Sequence, residues 1–290
     1  MIQSKLKNRL LPLLGALLVL LLILTSCGTA DENTAKKDTS ESETKVEENQ
    51  ENESEETEET EEPEGTKLVI ASFNIAAGKK VGFYYPLLAE DIVASGADIV
   101  GIQEIDQVTT RNSYQDTLEI LSQETGMEYY AFAPALTPYQ EGEYGIGVLS
   151  KYPIVSYEFY QLPMLSDTEE QRVLLHAKID VNGETLDFFV THGQQVSIRR
   201  QLEKANEYIS QCESFILAGD FNTSNYGNYK LIENSYTVVG ELNPILTSEE
   251  HSFDNLVISN DIVSKNVRTI DTQHSDHYML LADVTLPVKE

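Results

Sequence analysis

Residues 214–222, Ser-Phe-Ile-Leu-Ala-Gly-Asp-Phe-Asn (SFILAGDFN), contain the pattern that decides the fold of this chain. The run from Phe215 to Gly219 is apolar or small throughout, which predicts a buried strand. The strand ends on Asp220, and Asn222 follows two residues later. A buried strand that ends in an acid and an amide predicts a fold in which the ends of strands carry polar side chains.

The same arrangement recurs within residues 67–290. KLVIASFNI (67–75) is an apolar run with the polar Asn74 near its end, and ADIVGIQE (97–104) ends in Glu104. Near the carboxyl end, Ser-Asp-His (275–277) precedes a last apolar segment, YMLLADVTL (278–286). Apolar strands with polar ends, mixed with helices, indicate sheets covered by helices and a site gathered where the strands end.

The remaining segments predict further strands and helices. Helices are expected over Pro86–Ser95, over about 113–126 and over about 197–211. Asn182-Gly183 is the favoured pair for a two-residue hairpin turn between two strands. The number of strands predicts two sheets, and a loop is expected between the last two strands. The further strands are EYYAFA (128–133), YGIGVLS (144–150), PIVSYEFY (153–160), RVLLHAKIDV (172–181), ETLDFFVTH (184–192) and FDNLVIS (253–259).

The first 27 residues differ in composition from the rest. Lys5, Lys7 and Arg9 precede an apolar run from Leu10 to Leu24. The run is about 15 residues long, shorter than the roughly 20 that a membrane-spanning helix needs, so we expect a secretory signal. The small residues before Cys27 resemble the lipobox of bacterial lipoproteins. This resemblance implies a lipid-anchored protein on the extracytoplasmic face of the cell membrane. The alternative is an uncleaved anchor helix with an incidental cysteine.

Residues 28–66 predict a disordered, acidic tether. They contain sixteen acidic and three basic residues and almost no large apolar side chain. Such a segment cannot bury enough surface to offset the entropy of ordering it. Residues 67–290, the predicted folded domain, hold 32 acidic and fourteen basic residues, which gives −18 of the chain's net charge of −28. This charge counts mildly against tight nucleic-acid binding and mildly in favour of bound cations.

Several reactive residue types have no motif around them. Cys212 is alone in the predicted domain once Cys27 is assigned to the lipobox, so no intramolecular disulfide is expected there. We interpret Cys212 as structural. His176, inside a strand, and His251, beside acids, receive the same interpretation, whereas the role of His274 stays open.

The polar strand ends supply the groups that hydrolysis of a phosphate ester needs. A hard cation such as Mg²⁺ needs carboxylate or amide oxygens, and an attacking water needs a carboxylate to orient or deprotonate it. The negative phosphate needs neutral or cationic donors. Singly, each motif has a structural explanation as a surface carboxylate, a turn or a buried histidine. Together they indicate one site. The motifs are SFN (72–74), QE (103–104), GDFN (219–222) and SDH (275–277).

With these motifs, residues 67–288 resemble the endonuclease/exonuclease/phosphatase superfamily. Its members include pancreatic-type DNase, abasic-site endonucleases, bacterial sphingomyelinases and inositol-polyphosphate 5-phosphatases. YGIGVLSKYPI (144–154), FVTH (189–192) and SFDNLVIS (252–259) extend the resemblance to about three quarters of the chain. It implies an α/β fold of DNase-I-like type, a four-layer α/β sandwich of two packed, mainly antiparallel or mixed sheets flanked by helices. It also implies a hydrolase that depends on Mg²⁺ or Mn²⁺.

The resemblance also implies roles for the metal and water groups. Glu104 corresponds to the principal metal ligand, and Asp276 corresponds either to a residue that supports the ligands or to a second metal ligand. Asn74 corresponds to a residue close to both the metal and the phosphate, and thus to a metal-binding and substrate-binding position. Asp220 corresponds to the carboxylate that directs the attacking water, and Asn222 to its partner, which donates to the phosphoryl oxygen.

Three further matches concern the charge of the phosphate. Asp254 and His277 correspond to a carboxylate–histidine pair that keeps the imidazole oriented, and His192 corresponds to a histidine donor at the phosphate. Histidine suits this position because it changes protonation near neutral pH. Arg172 follows Glu169-Glu170 and is a substrate-binding candidate, although pairing with surface acids explains its position equally well.

These expectations combine into a metal-dependent, monomeric phosphodiesterase or phosphatase held at the membrane by a lipid anchor. Two substrate classes stay open, because fold and motif do not fix a substrate. One is nucleic acid and the other is the head group of a phospholipid or phosphoinositide. The alternative from another class is a non-catalytic surface binding protein built on the same scaffold.

Overall fold

The computed structural model describes residues 64–242 and 244–288. The predicted signal, with Cys27, and the predicted tether up to residue 63 lie outside the described residues and stay predictions. No helix in the described ranges is both long enough and apolar enough to cross a membrane.

The described residues form twelve strands, three α-helices and two short 3₁₀ helices. The α-helices are α1 (Pro86–Ser95), α2 (Thr117–Thr125) and α3 (Ile198–Ile209), and the 3₁₀ helices cover Ala76–Val81 and Tyr226–Leu231. The strands are β1 (Thr66–Asn74), β2 (Ile99–Gln107), β3 (Tyr129–Tyr139), β4 (Gly142–Ser150), β5 (Ile154–Gln161), β6 (Val173–Val181), β7 (Glu184–His192), β8 (Phe215–Asp220), β9 (Ser235–Thr237), β10 (Asp254–Ser259), β11 (Val263–Ile270) and β12 (Met279–Leu286).

Helix ends follow from local sequence. α1 has Pro86 in its first turn and ends at Gly96, whose φ of 72° is the left-handed conformation that glycine adopts without strain. α2 begins later than the expected residue 113, because the Asp116 side chain accepts a hydrogen bond from the backbone N–H of Glu119 and caps the helix there. The residues before the cap form a turn instead.

The strands form two six-stranded sheets. Sheet A has the order β11-β12-β1-β2-β4-β3, and sheet B has the order β5-β6-β7-β8-β10-β9. β1 pairs with β2, and β7 with β8, in parallel, whereas the remaining neighbours are antiparallel. Each sheet is therefore mixed, as expected. The carboxyl ends of β1 and β2 lie side by side, and so do those of β7 and β8.

Three apolar layers hold the elements together. One lies between the two sheets and includes Phe188 and Val190 of sheet B and Ile70 of sheet A. A second lies between sheet A and the helices α1 and α2, and a third lies between sheet B and α3. The order of layers is thus helix, sheet, sheet, helix, and the predicted four-layer sandwich is confirmed.

Gly101 of β2 faces the opposite sheet at close range. A Cβ atom placed on Gly101 would lie 2.8 Å from the Cβ of Ala218 and 3.2 Å from a methyl group of Val190. Packed cores do not accommodate carbon contacts this short without displacement. The missing side chain therefore allows the two sheets to approach each other at this point.

The segment after β10 differs from the expected loop. Val263–Ile270 forms β11, which pairs with β12 at the edge of sheet A and is interrupted by a bulge between Lys265 and Arg268. Its side chains are exposed or half-buried, so the sequence lacks the apolar alternation that predicts a strand. Hydrogen bonds to β12, and an ion pair of 2.8 Å between Arg268 and Asp283, fix this strand instead.

Replacing Phe188 with alanine is expected to lower the free energy of unfolding by about 3–5 kcal/mol. The Phe188 ring is fully buried between the sheets, and its loss leaves a cavity that rigid strands cannot close. Denaturant unfolding followed by circular dichroism measures the change. Phe159→Ala is the matched control, because the Phe159 side chain is 42% exposed. An equal loss in both variants would contradict the proposed packing.

Candidate active site

The polar strand ends meet at one edge of the sandwich. Asn74 ends β1, and Glu104 lies near the end of β2 in sheet A, whereas His192 and Asp220 end β7 and β8 in sheet B. Asp254 is the first residue of β10 and stands opposite Asp220 in the ladder. Side chains that are far apart in sequence and belong to different sheets therefore converge at one place.

The carboxylate of Asp220 occupies the centre of this group. Its Oδ2 accepts a hydrogen bond from Asn74 Nδ2 at 3.0 Å. The same oxygen lies 3.6 Å from His192 Nε2 and 3.7 Å from His277 Nε2. Its Oδ1 accepts the backbone N–H of Asn222 at 2.9 Å. Groups from both sheets thus hold one buried carboxylate in a fixed orientation, which suits a general base.

Asn74 links two acids. Its Nδ2 donates to Glu104 Oε1 at 3.3 Å as well as to Asp220, and its Oδ1 accepts the backbone N–H of Ala76 at 3.0 Å. In this orientation the amide presents its nitrogen to the site. Asn74 therefore sets the spacing of two carboxylates, while its role as a metal ligand stays a prediction.

Glu104 has an unusual backbone conformation. Its φ is +56°, and the β2–β4 register shifts between Ile102 and Ile105 on either side of it. A positive φ is uncommon for a residue other than glycine and is concentrated at functional sites. Bulges of this kind re-aim a side chain. Here the bulge directs Glu104 toward Asn74, and its carboxylate also lies 3.8 Å from Lys79 Nζ.

His277 forms the predicted pair with Asp254. Its Nδ1 lies 2.9 Å from Asp254 Oδ2. Burial disfavours the charged ring, but the hydrogen bond to Asp254 and the charges of Asp254 and Asp220 outweigh it and raise the pKa of His277 to about 9. Burial, together with the charge of Asp220, raises the pKa of Asp254 to about 6. At neutral pH the pair is therefore an imidazolium beside a carboxylate, with Nε2–H facing Asp220.

His192 is held differently. Arg172 places a guanidinium nitrogen 2.9 Å from His192 Nδ1. Because guanidinium only donates, Nδ1 accepts, and the proton of the neutral ring sits on Nε2. Burial lowers the pKa of His192 to about 4, against the opposing charge of Asp220. Near neutral pH His192 is thus an uncharged donor. Asn222 Nδ2 donates to the Gly193 carbonyl at 3.2 Å.

Arg172 is buried behind His192. Its guanidinium also forms an ion pair of 2.9 Å with Glu170 and donates to Gln194 Oε1 at 3.2 Å. Both sequence interpretations keep some support, since the side chain pairs with an acid and also reaches a site residue. These contacts indicate that Arg172 positions His192, and direct substrate binding stays a prediction.

The structure brings Asp276 less close to the centre. Its side chain is exposed and lines a neighbouring cleft of about 470 Å³ together with Lys80, Glu249 and Tyr278. Its role as a metal ligand stays a prediction. The sequence did not decide the role of His274. Its Nδ1 lies 2.9 Å from Asp91, so its described partner is not one of the acids at the centre of the site.

The acids at the centre of the site are of the residue types that bind a divalent metal ion. Asp220, Asp254 and His277 bring one ligand atom each within 4.8 Å of one another, and short hydrogen bonds within the site already engage all three side chains. Glu104 is the better ligand, because its carboxylate is 23% exposed and its described contacts, at 3.3 and 3.8 Å, are long. Carboxylate oxygens are the ligands that hard divalent cations prefer.

Sequence reasoning missed the residues that support the site. The hydroxyl of Ser275 donates to the Asn74 carbonyl at 2.7 Å and so joins the Ser-Asp-His loop to β1. Thr247 Oγ1 accepts the backbone N–H of Asp254 at 3.1 Å. Ser275 is the first residue of the Ser-Asp-His motif, so its supporting role could have been inferred from the sequence. The sequence around Thr247 contains no motif that indicates such a role.

The sequence profile of the Endonuclease/Exonuclease/phosphatase family matches residues 71–277. The chain belongs to this family. The matched range runs from just before Asn74 to His277 and contains every candidate described above. Members of the family are phosphoesterase hydrolases, and the acids and histidines found here are of the types that their chemistry requires.

Related proteins agree with the fold. Endonuclease/exonuclease/phosphatase from Beutenbergia cavernae is 18% identical, with a TM-score of 0.62 over 76% of this chain and 72% of that one. The mannosyl-6-phosphatase Bt3783 from Bacteroides thetaiotaomicron is 15% identical, with a TM-score of 0.59 over 76% of this chain and 100% of that one. Protein cwh43 from Schizosaccharomyces pombe is 32% identical over 98 residues, which span 34% of this chain but only 10% of that protein.

Proposed function

We propose that the protein is a Mg²⁺- or Mn²⁺-dependent phosphodiesterase that acts as a monomer on the extracytoplasmic face of the membrane. One observation carries the proposal. A buried carboxylate, Asp220, stands between a second acid held by Asn74 and a cationic histidine, with Nε2 of His277 3.7 Å from Asp220 Oδ2. Hydrolysis of a phosphate ester by water needs this combination of a base, a cation site and donors for negative charge.

Glu104 is the principal residue proposed to hold the metal ion, with Asn74 and Asp276 as further candidates. When bound, the cation neutralises charge on the phosphoryl group and on the leaving oxygen. The Asn74 amide would keep Glu104 and Asp220 apart, so that one carboxylate holds the cation and the other stays available for the water.

Asp220 is the proposed base. Its Oδ1 accepts the backbone N–H of Asn222 at 2.9 Å and its Oδ2 accepts Asn74 Nδ2 at 3.0 Å, so the carboxylate that would take the proton from the attacking water is held in one orientation. With the water oriented by a fixed acceptor, the reaction avoids the cost of ordering it in the transition state.

The donors around Asp220 favour a diester over a monoester. His277 contributes one positive charge, whereas Asn222 and His192 are neutral donors. A phosphodiester has one negative charge, and a monoester has close to two near neutral pH. The donors together thus carry a single positive charge, which matches the single negative charge of a diester better than the nearly double charge of a monoester.

The location is proposed from the sequence. A lipid on Cys27 and a tether of 39 residues (28–66) would let the domain sample a distance of about 35 Å from the membrane, and more with charge repulsion. A domain charge of −18 opposes a duplex of nucleic acid. We therefore favour a phospholipid or phosphoinositide head group, with nucleic acid as the competing substrate.

The test is hydrolysis of bis-p-nitrophenyl phosphate by the purified protein, with Mg²⁺ and after chelation. Turnover is expected with Mg²⁺ or Mn²⁺, to be lost with chelator and to return when the ion is restored. A panel of sphingomyelin, phosphoinositide, DNA and RNA then identifies the substrate class. No metal-dependent turnover on any of these would contradict the proposal and favour a non-catalytic binding protein.

Activity is expected to depend on pH with an acidic limb near 6 and a basic limb near 9. Below about 6 the buried carboxylate of Asp254 gains a proton, and above about 9 the ring of His277 loses one. His192, with its pKa near 4, stays neutral between these limits. A profile of kcat/KM against pH tests this, and His277→Gln is expected to remove the basic limb. A basic limb that persists in His277→Gln would show that another group titrates.

A further inference from the structure

A second cluster of metal-binding residue types lies outside the candidate active site. His176 of β6, Asp187 of β7 and Cys212, which follows α3, bring a nitrogen, an oxygen and a sulfur within 4.8 Å of one another. Asp187 precedes His192 by five residues on β7, so about 17 Å of strand separates this cluster from the active site. The proposed hydrolysis does not use any of the three residues.

The ring of His176 is fixed in position. It is almost fully buried and stacks on Phe189, with ring centroids 4.1 Å apart and planes 14° from parallel. Its Nε2 lies 2.6 Å from Asp187 Oδ1, and its Nδ1 lies 3.7 Å from Glu158 Oε1. A carboxylate behind the second ring nitrogen is the usual partner of a metal-binding histidine, because it holds the tautomer in which the first nitrogen is free to bind.

The thiol of Cys212 is the third donor. Burial, aided by the charge of Asp187 and the hydrogen bond to it, raises the pKa of Cys212 to about 12. Without an ion the sulfur therefore keeps its proton. His176 Nε2 lies 2.6 Å from the Asp187 carboxylate, and the Cys212 thiol lies 4.0 Å from the carbonyl oxygen of Tyr208. Lys178 adds a positive charge near Asp187 and Cys212.

We propose that His176, Asp187 and Cys212 form a binding site for a divalent transition-metal ion, with Zn²⁺ as the occupant. Nitrogen, sulfur and carboxylate oxygen are the ligands that Zn²⁺ takes in proteins, whereas Mg²⁺ takes oxygen ligands. This site and the oxygen-rich site at Glu104 therefore select different ions.

The geometry allows the site to form with small movements. Zinc bonds of about 2.0–2.3 Å in a tetrahedron place the ligand atoms roughly 3.3–3.8 Å apart. His176 Nε2 and Asp187 Oδ1, now 2.6 Å apart, must separate by somewhat less than 1 Å, and Cys212 Sγ must approach by about as much. A cleft of about 250 Å³ lined by Glu158, His176 and Lys178 gives solvent access beside the ring.

Binding of the ion requires two of its ligands to lose the proton at the binding atom. The Cys212 thiol releases its proton to solvent as its sulfur binds, and His176 would bind the ion through an Nε2 that carries no proton, with the ring proton on Nδ1 toward Glu158. Asp187 is already ionised. The bound ion would join β6, β7 and the end of α3, so it acts as a structural cross-link.

Co²⁺ is the probe, because it binds like Zn²⁺ and shows a thiolate charge-transfer absorption only when sulfur is a ligand. The chain contains two cysteines, so every sample carries Cys27→Ser, which leaves Cys212 as its sole thiol. The absorption is expected in Cys27→Ser, to be displaced by Zn²⁺, and to be absent in Cys27→Ser/Cys212→Ser. Glu104→Gln on the same background is the matched control and keeps the absorption.

His176→Gln on the Cys27→Ser background supplies a second test, with circular dichroism as a check on folding. Its affinity for Co²⁺ is expected to fall at least tenfold. Zn²⁺ should raise the melting temperature of Cys27→Ser and leave that of the Cys212→Ser double variant unchanged. The proposal is overturned if folded Cys27→Ser shows no charge-transfer absorption, or if His176→Gln binds Co²⁺ as tightly as its parent.

Discussion

Asp220→Asn is expected to lower kcat for phosphodiester hydrolysis by about 10²- to 10⁴-fold, the usual contribution of a positioned base. The substitution preserves shape, and the asparagine oxygen can still accept the Asn222 N–H now bonded at 2.9 Å. What is lost is the carboxylate that is proposed to take a proton from water. Steady-state rates on bis-p-nitrophenyl phosphate at saturating Mg²⁺ measure the effect.

The melting temperature separates this role from a structural one. It should change only slightly in Asp220→Asn, because the removal of a buried charge beside Asp254 offsets the loss of the hydrogen bond from Asn74 to Oδ2. Asp283→Asn is the matched control, since Asp283 pairs with Arg268 at the far edge of sheet A and its loss should leave kcat unchanged. A large fall in melting temperature with only a small fall in kcat would refute the assignment of Asp220 as the base.

Asp254→Asn and His277→Gln are each expected to lower kcat by about 10²- to 10³-fold, the usual loss when a donor to transition-state charge is removed. The two side chains act through one hydrogen bond of 2.9 Å, and without Asp254 the ring loses the charge that keeps it protonated. The double variant should therefore be no more than about tenfold slower than the slower single variant.

Strict additivity of the two substitutions would contradict this coupling. The pH profile offers a separate check, because Asp254→Asn should move the basic limb below 9 toward the ordinary pKa of histidine, about 6.5. An unchanged basic limb in Asp254→Asn would show that Asp254 does not set the charge of His277.

The sequence predicted the apolar strands and the residues at their ends. β1, β2 and β8 are continuous apolar runs, so the positions of Asn74, Glu104 and Asp220 followed from them. β11 was not predicted, because an exposed edge strand held by backbone hydrogen bonds and an ion pair has no apolar pattern. The fold class was predictable because strands and helices that pack in the apolar layers have apolar patterns in the sequence. β11 packs in none of these layers to the same extent, so its sequence has no such pattern.

The contacts within the site could not be predicted from the sequence. Asn74 and Asp220 are 146 residues apart, and only the packing of two sheets shows that they share a hydrogen bond of 3.0 Å. The amide orientation of Asn74 and the guanidinium of Arg172 behind His192 depend on local atomic geometry. Motifs identified which residues meet, whereas the structure was needed to show which atoms of these residues contact each other.

The close approach at Gly101 has a consequence for catalysis. Asn74 and Glu104 belong to one sheet, and His192 and Asp220 to the other, so the thickness of the apolar layer sets the separation between the proposed metal ligand and the proposed base. A larger side chain at Gly101, three residues before Glu104, would push the sheets apart and lengthen the reach between them. Changes in core volume are therefore expected to alter activity as well as stability, and substitutions that never touch a substrate can tune the rate.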